Sequence, residues 1–197
     1  MNYLAHAYLS FNNSEILVGN MISDFVKGKK KFDYPYQIQI GIQLHRFIDA
    51  YTDLHSSTQK AKIFFQPYVR LYSGAFVDIV YDYFLANDKN EFEQDGLSIF
   101  SKETYKNLEQ YKEHFPDIFA QYFQYMKSQD WLYHYQFIAG IEKSMMGLVR
   151  RAKYLESSEK CYEAFLKNHE ALNDCYSTFF PDVKKNARDY LYKLLKP

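Results

Sequence analysis

The sequence is poor in the residues that make tight turns and in those that make disulfides. It has seven glycines and five prolines in 197 residues, which argues against an all-β sandwich with many tight turns. The two cysteines, Cys161 and Cys175, fall on one predicted helix at a separation of roughly 21 Å, which is too far for a disulfide. We therefore expect a helical protein with reduced cysteines.

Neither charge nor long apolar runs mark a nucleic-acid-binding or membrane protein. The 24 basic and 24 acidic residues balance to a net charge of zero, so no global field attracts nucleic acid. The chain lacks an uncharged apolar run of about 18 residues, the length that indicates a membrane span. Its first residues also lack the basic stretch that opens a signal peptide. We expect a cytoplasmic protein that binds neither nucleic acid nor membrane, and the sequence leaves its oligomeric state open.

Aromatic residues and helical periodicity dominate what is present. Tyrosine and phenylalanine make up nearly all of the 19% aromatic content, which favours a helical core with tyrosines at its margins. The prediction is an all-α fold with a single domain over residues 1–197. A polar loop at 88–97 divides a metal-bearing half, about 1–88, from supporting helices at about 98–197. In the second half, periodicity predicts helices at 98–113, 116–128, 130–155, 157–178 and 182–195, the last beginning after Pro181.

One predicted helix carries a line of polar residues. Within residues 41–53, His45, Asp49 and Asp53 follow at i, i+4 spacing, so neighbours share a face about 6 Å apart along the axis. Apolar residues flank this line, which predicts that it points inward. A buried carboxylate beside a neutral imidazole needs a strong partner because its desolvation is costly. A divalent metal ion is such a partner, and His with Asp suits Mn, Fe or Zn better than Ca.

Four further polar residues stand in apolar surroundings elsewhere in the chain. His6, taken alone, is typical of a core histidine that bonds to the backbone. Asp24 lies near the C-terminal end of a predicted helix, where the helix dipole disfavours a carboxylate, so Lys27 or a metal must compensate. Asp78 and Asp82 lie at i, i+4 in an apolar run and would repel each other unless a positive group lies between them.

Helical bundles build metal sites from side chains that converge from several helices. The predicted metal ligands are His6, Asp24, His45, Asp49, Asp78 and Asp82. A bound metal would lower the pKa of a water ligand and polarise a phosphoryl oxygen, and both effects serve hydrolysis. If Asp24 or Asp78 does not bind the metal directly, that carboxylate would act as the general base. Lys27 and Arg46 are close enough in sequence to the ligands to neutralise a phosphate. The predicted catalytic residues are Asp24, His45, Asp49 and Asp78.

Four segments resemble the successive motifs of the acyl carrier protein phosphodiesterase family. They are residues 2–6 (NYLAH), 19–28 (GNMISDFVKG), 41–53 (GIQLHRFIDAYTD) and 78–85 (DIVYDYFL). Residues 131–132 and 146–151 (MGLVRR) resemble later landmarks of the same family. The motifs occur in family order and at similar spacing, and together they cover most of the chain.

The resemblance implies an HD-domain-like helical bundle of the metal-dependent phosphohydrolase type. It implies Mn²⁺-assisted hydrolysis of the phosphodiester that joins 4'-phosphopantetheine to a serine of acyl carrier protein, with Mg²⁺, Fe²⁺ and Zn²⁺ as alternative cofactors. The family's metal roles carry over to the six predicted ligands, and Arg151 is implied as a phosphate-binding residue. The family's last motif has a histidine where this chain has Tyr83, which leaves open whether activity is altered.

Two other functions remain compatible with the same residues. An HD-type phosphohydrolase that acts on a nucleotide or another small phosphate ester would use the same metal chemistry. A non-catalytic helical binding protein would instead pair these polar residues with Arg and Lys, yet Asp78 and Asp82 have no basic residue close by in the chain. Carrier proteins are strongly acidic, so the basic residues at 27–31 and 150–151 favour acyl carrier protein as the partner.

Overall fold

The computed structural model describes residues 1–196, which form helices and connecting turns without a β-strand. The α-helices are α1 (Tyr3–Tyr8), α2 (Ser14–Ile22), α3 (Tyr36–Leu54), α4 (Ser56–Ile63), α5 (Gln66–Val69), α6 (Ser73–Ala86), α7 (Gly96–Glu109), α8 (Asp117–Ser128), α9 (Trp131–His134), α10 (Ile138–Arg151), α11 (Glu159–Lys167) and α12 (His169–Leu195). Short 3₁₀ turns at Ser23–Phe25 and Gly28–Asp33 connect α2 to α3. The predicted all-α class is confirmed. In this part of the chain, no helix combines the length and the apolar character that a membrane span requires.

Helices α2 and α3 cross in direct backbone contact at two glycines. A Cβ atom added at Gly19 would lie 2.1 Å from the carbonyl oxygen of Ile38. One added at Gly41 would lie 2.2 Å from the carbonyl oxygen of Ile16. Any side chain at either position would force the helices apart, so glycine permits a backbone approach that no other residue allows. This crossing places α2 against the first turns of α3.

Side chains from two other helices hold the short helix α1 in place. Asp82 of α6 accepts hydrogen bonds from the backbone N–H groups of Leu4 and Ala5, at 2.7 and 3.3 Å. Asn20 of α2 donates to the carbonyl oxygen of His6 at 2.8 Å. A helix of six residues is not stable by itself, and its first N–H groups need partners from outside. These contacts therefore fix the position of the segment that carries His6.

The longest helix, α12, passes through Pro181 instead of beginning after it. The prediction of a helix break there was wrong, since α12 extends from His169 to Leu195. Proline removes one backbone donor and crowds the preceding turn, which disfavours this position locally. Phe179, Phe180 and Val183 on either side are buried, and α12 packs along α3 and α4. Burial of this apolar face outweighs the local cost of the proline.

Two other predicted helices are divided in the structure. The predicted helix at 130–155 is split into α9 and α10 by a turn at 135–137. The predicted helix at 157–178 is interrupted at Asn168, which lies between α11 and α12. Cys161 and Cys175 therefore lie on different helices, contrary to the prediction, and both are free thiols. Neither break carries a proline, so the sequence pattern contained no local signal for them.

Candidate metal centre

Three of the predicted ligands meet in one cluster between α1 and α3. His6, His45 and Asp49 each offer a ligand atom, and these atoms lie within 4.8 Å of one another. The two imidazole rings are stacked, with centroids 3.9 Å apart and an interplanar angle of 15°. Both histidines are buried, whereas the Asp49 side chain is 41% exposed, so the cluster opens to solvent on the side of Asp49.

Asn20 of α2 determines which nitrogen of each imidazole carries the hydrogen. Its side-chain nitrogen donates to the carbonyl oxygen of His6 at 2.8 Å and to the hydroxyl of Ser10 at 3.1 Å. Its side-chain oxygen therefore faces His6 Nδ1, at 2.8 Å. The backbone carbonyl oxygen of Asn20 lies 2.7 Å from His45 Nδ1. Carbonyl oxygens only accept hydrogen bonds, so the Nδ1 atom of each histidine is the donor.

The remaining nitrogen of each ring faces a carboxylate. His6 Nε2 lies 3.1 Å from Asp49 Oδ1, and His45 Nε2 lies 3.1 Å from Asp49 Oδ2. His45 Nε2 also lies 3.1 Å from Asp24 Oδ1. In a neutral imidazole this nitrogen carries a lone pair, and a carboxylate oxygen is also an acceptor, so a proton or a cation must lie between them. Metal-binding histidines characteristically donate their other N–H to a carbonyl or carboxylate, as both rings do here.

The two imidazoles differ in their affinity for a proton. Burial, reinforced by the neighbouring His45, lowers the pKa of His6 to about 4. Burial opposes protonation of His45 as well, but hydrogen bonds to Asp24 and Asp49 outweigh it and raise the pKa of His45 to about 9. Burial alone would raise the pKa of Asp49, yet the two histidines hold it well below its usual range. His6 is thus a neutral ligand directed at an ionised carboxylate.

Asp24 and Asp78 lie at opposite ends of this cluster. Asp24 contacts His45, and the pKa of its carboxyl group is lowered chiefly by that hydrogen bond. Asp78 Oδ1 lies 3.0 Å from the amino group of Met1, which itself lies 3.3 Å from Asp49 Oδ1. Burial raises the pKa of Asp78. The contacts thus form a continuous chain from Asp24 through His45, Asp49 and Met1 to Asp78.

The structure does not bring Asp82 into the cluster. Asp82 is fully buried, and its two oxygens accept the N–H groups of Leu4 and Ala5 at the start of α1. Burial raises the pKa of Asp82 to about 7, although both hydrogen bonds oppose the rise. The sequence predicted a metal ligand at Asp82, whereas its observed partners are backbone amides that position α1. The positive group that Asp78 needs is the amino group of Met1.

The three predicted phosphate-binding residues, Lys27, Arg46 and Arg151, are exposed. Arg46 donates a hydrogen bond from Nη2 to the carbonyl oxygen of Val26 at 3.0 Å, which holds its guanidinium beside the segment that follows Asp24. Their roles in binding phosphate stay predictions.

Aromatic contacts place Arg151 near the Asp24 end of the cluster. The Arg151 guanidinium lies 6.0 Å from the centre of the Tyr122 ring. The Tyr122 ring packs against Phe25, with centroids 5.8 Å apart. Phe25 immediately follows Asp24 and precedes Lys27 by two residues. Basic side chains from two distant parts of the chain therefore border the same edge.

Tyr83, where the resemblance implied a histidine, lies outside the cluster. Its ring packs against Phe165 and His169, with centroid distances of 5.4 and 5.7 Å. These residues belong to α11 and α12, so Tyr83 occupies the side of α6 that faces those helices. The contacts of Tyr83 are thus with α11 and α12, and not with His6, His45 or Asp49.

Asn20 is the site residue that sequence reasoning missed. It is 0% exposed and contacts both histidines, yet it offers no charge and no ligand spacing. The available signal was an amide within the apolar run at 17–22, directly after Gly19. A buried amide requires partners for its donor and acceptor groups, and in this case those partners are the His6 imidazole, the His6 carbonyl oxygen and the Ser10 hydroxyl.

Comparisons with known proteins agree on one family across nearly the whole chain. The family model described as acyl carrier protein phosphodiesterase matches residues 1–183. The acyl carrier protein phosphodiesterase of Yersinia pestis is 28% identical over 189 residues, which cover 95% of this chain and 98% of the relative. The protein of that name from Klebsiella pneumoniae (strain 342) is 28% identical over 190 residues, 96% of this chain and 98% of the relative. That from Photorhabdus laumondii is 25% identical over 96% of each chain. No solved structure matches the chain.

Proposed function

Because the chain belongs to the acyl carrier protein phosphodiesterase family, we propose that it hydrolyses the phosphodiester joining 4'-phosphopantetheine to a serine of acyl carrier protein. The products are the apo-protein and 4'-phosphopantetheine. The observation that carries this proposal is the direction of two buried imidazole Nε2 atoms toward the carboxylate of Asp49. That arrangement requires a proton or a metal ion between nitrogen and carboxylate, and a metal-assisted hydrolase would place a metal ion there.

The donor set fits a divalent transition-metal ion. His6 and His45 would supply nitrogen ligands, and Asp49 and Asp24 would supply oxygen ligands. Mixed imidazole and carboxylate ligands suit Mn²⁺, Fe²⁺ or Zn²⁺, whereas Mg²⁺ prefers oxygen ligands alone. When bound, the ion would polarise a phosphoryl oxygen and lower the pKa of a coordinated water. Asn20 would hold both rings in the orientation that binding requires.

The direction of attack follows from the positions of the two flanking carboxylates. In an in-line displacement the attacking water lies opposite the leaving oxygen, which belongs to the carrier serine. The water oxygen bonds to phosphorus, the bond between phosphorus and the serine oxygen breaks, and the serine oxygen takes up a proton. Asp78 lies at the end of the cluster remote from the basic residues that would receive the carrier. We assign Asp78 as the general base for the water on these positional grounds.

The acidic carrier would approach the Asp24 end. Residues 27–31 include four lysines, of which Lys27, Lys29 and Lys30 are exposed, and α10 ends with the exposed pair Arg150 and Arg151. Complementary charge steers association and orients the partner. The Tyr122 ring contacts both Phe25, which follows Asp24, and the Arg151 guanidinium. These contacts bring the two basic segments to the same edge of the protein.

The experiment is incubation of holo acyl carrier protein with the protein and Mn²⁺, followed by mass spectrometry of the carrier. We expect the carrier to lose the phosphopantetheine mass with wild type and to keep it with Asp49→Ala. Asp189→Ala removes an exposed carboxylate from α12 and should be fully active. An intact carrier with Mn²⁺ bound to the wild-type protein would contradict the carrier substrate. A panel of nucleotides under the same conditions would then test the alternative phosphohydrolase activity.

A further inference from the structure

A pocket of about 480 Å³ opens beside Asp78. Its volume lies within the range of small-molecule binding sites, roughly 300–1,000 Å³. Its walls come from the end of α3, from α4 and α5, and from the start of α6. The lining side chains that matter here are Asp53, Gln59, Lys62, Gln66, Arg70 and Asp78.

Helix α3 relates the pocket to the metal centre. His45, Asp49 and Asp53 occupy successive turns, so Asp53 lies about 6 Å beyond Asp49 along the helix axis and about 12 Å beyond His45. Asp78 belongs to both places, because its carboxylate contacts the Met1 amino group beside Asp49 and also lines the pocket. A ligand whose phosphorus atom lies at Asp49, and which extends along α3 toward Asp53, reaches the pocket over a distance of about one helical turn.

The pocket lining is polar but formally neutral. The carboxylates of Asp53 and Asp78 balance the cations of Lys62 and Arg70, and Lys62 forms an ion pair with Asp53 at 2.8 Å. Side-chain amides add donors and acceptors, and that of Gln59 donates to the carbonyl oxygen of Asp53.

An apolar side chain completes the edge of the pocket. Leu71, which follows Arg70 and also lines the pocket, is 99% exposed. Hydrogen-bond donors and acceptors beside the apolar side chains of Leu71 and Ala75 match an uncharged, elongated ligand that carries amide and hydroxyl groups along an aliphatic chain.

The opposite end of the cluster has a different character. The basic side chains around Asp24 include Arg46, the lysines of residues 27–31 and the arginines at 150–151. That end suits an acidic protein surface, and the neutral pocket does not. A substrate with an acidic protein on one side of the phosphorus and an uncharged chain on the other therefore has one favourable orientation across α3.

We propose that the pocket lined by Asp53, Lys62, Gln66 and Arg70 binds the pantetheine arm of the substrate while the carrier occupies the Asp24 end. The arm is an uncharged chain with two amides, a hydroxyl and a terminal thiol, which the lining can pair. This inference rests on the proposed function, because only a phosphopantetheine substrate carries such an arm. It places the arm and the carrier serine on opposite sides of the scissile bond.

The test compares two substrates in pocket variants. Gln66→Leu and Arg70→Leu alter exposed side chains, and Gln110→Leu alters an exposed glutamine at the end of α7 as the matched control. We expect each pocket variant to lower kcat/KM for holo carrier about five- to tenfold, the effect of losing one hydrogen bond. The ratio of kcat/KM for holo carrier to kcat/KM for bis(p-nitrophenyl) phosphate, which has no arm, should fall in both pocket variants and keep the wild-type value in Gln110→Leu.

Direct binding separates this inference from the proposed function. Free pantetheine should bind the wild-type protein in saturation-transfer NMR and should bind Gln66→Leu more weakly. Suppose that the wild type cleaves holo carrier, and that the pocket variants equal it both in this cleavage and in pantetheine binding. The pocket assignment is then overturned, and the proposed function stands. If the wild type leaves holo carrier intact, the proposed function fails. In that case, pantetheine binding that Gln66→Leu weakens still supports the pocket, and equal or absent binding overturns it.

Discussion

Asp49 and Asp82 are the same residue type, each on a helix whose apolar side chains are buried, and each has both oxygens in contact with nitrogen atoms. The nitrogens around Asp82 are backbone N–H groups, which donate and satisfy the carboxylate. The histidine nitrogens that face Asp49 are the two Nε2 atoms. Each of these rings already donates a hydrogen bond through its other nitrogen, Nδ1. One carboxylate therefore completes a helix terminus, whereas the other faces imidazole nitrogens and needs a proton or a cation between itself and them. We infer that the chemical type of the partner, and not burial, distinguishes a structural carboxylate from a candidate metal ligand.

The largest effect expected from this comparison is on catalysis at Asp49. Asp49→Asn keeps the shape of the side chain but removes the charge that faces both imidazoles. Hydrolysis of holo carrier should fall by about a thousandfold, the order of effect of losing one electrostatic group at a reacting centre. Initial rates at saturating Mn²⁺ measure it, with Asp189→Asn as the control. Activity within tenfold of wild type would show that Asp49 is not part of the catalytic centre.

The second effect is on stability at Asp82. Asp82→Ala leaves two backbone N–H groups of α1 without their acceptor, and the free energy of unfolding should fall by about 3 kcal/mol. Urea denaturation measures this change, and Asp189→Ala, an exposed position on α12, should shift it by less than about 0.5 kcal/mol. A loss below about 1 kcal/mol for Asp82→Ala would contradict the helix-terminus role.

A third prediction concerns the residue that gives the histidines their orientation. Asn20→Leu removes the acceptor for His6 Nδ1 but keeps the backbone carbonyl that accepts from His45. The affinity for Mn²⁺ should fall by about 10- to 100-fold, as for other groups that orient metal ligands. Isothermal titration of the metal-free protein measures it. Unchanged affinity would mean that His6 binds no metal or needs no orienting partner.

The smallest expected effect comes from the helix crossing that brings Asn20 to His45. Gly41→Ala places a methyl group against the carbonyl oxygen of Ile16 and should cost about 2 kcal/mol of stability. Gly147→Ala is the matched control, because a Cβ there meets no atom within 4 Å and alanine is the better helix former. That variant should gain up to about 1 kcal/mol. Equal thermal shifts in the two variants would contradict the close crossing of α2 and α3.

Local spacing predicted the part of the site that lies on one helix. His45 and Asp49 share a face of α3 because i, i+4 positions must do so in any helix. His6 joins them through long-range contacts, and the sequence supplied only its polar character in an apolar segment. The helical class followed from periodicity and from the scarcity of turn-forming residues.

The sequence could not reveal partners that depend on tertiary packing. Asp82 binds backbone groups 77 and 78 residues away, and nothing in its own segment distinguishes a backbone amide from a metal as the missing partner. Pro181 was misleading for a similar reason, since its local preference is overridden by burial of the surrounding phenylalanines. No sequence motif marks the pocket at Arg70, because its lining residues come from several helices, α3 to α6.

Mn²⁺ binding by three proteins in parallel, followed by electron paramagnetic resonance, tests the difference between Asp49 and Asp82 most directly. Wild type and Asp82→Asn should both bind Mn²⁺, since the substituted side chain keeps one acceptor oxygen for α1 and leaves the cluster intact. Asp49→Asn should lose the bound-metal signal under the same conditions. Equal binding by all three proteins, or loss in Asp82→Asn with retention in Asp49→Asn, would contradict a metal centre formed by His6, His45 and Asp49.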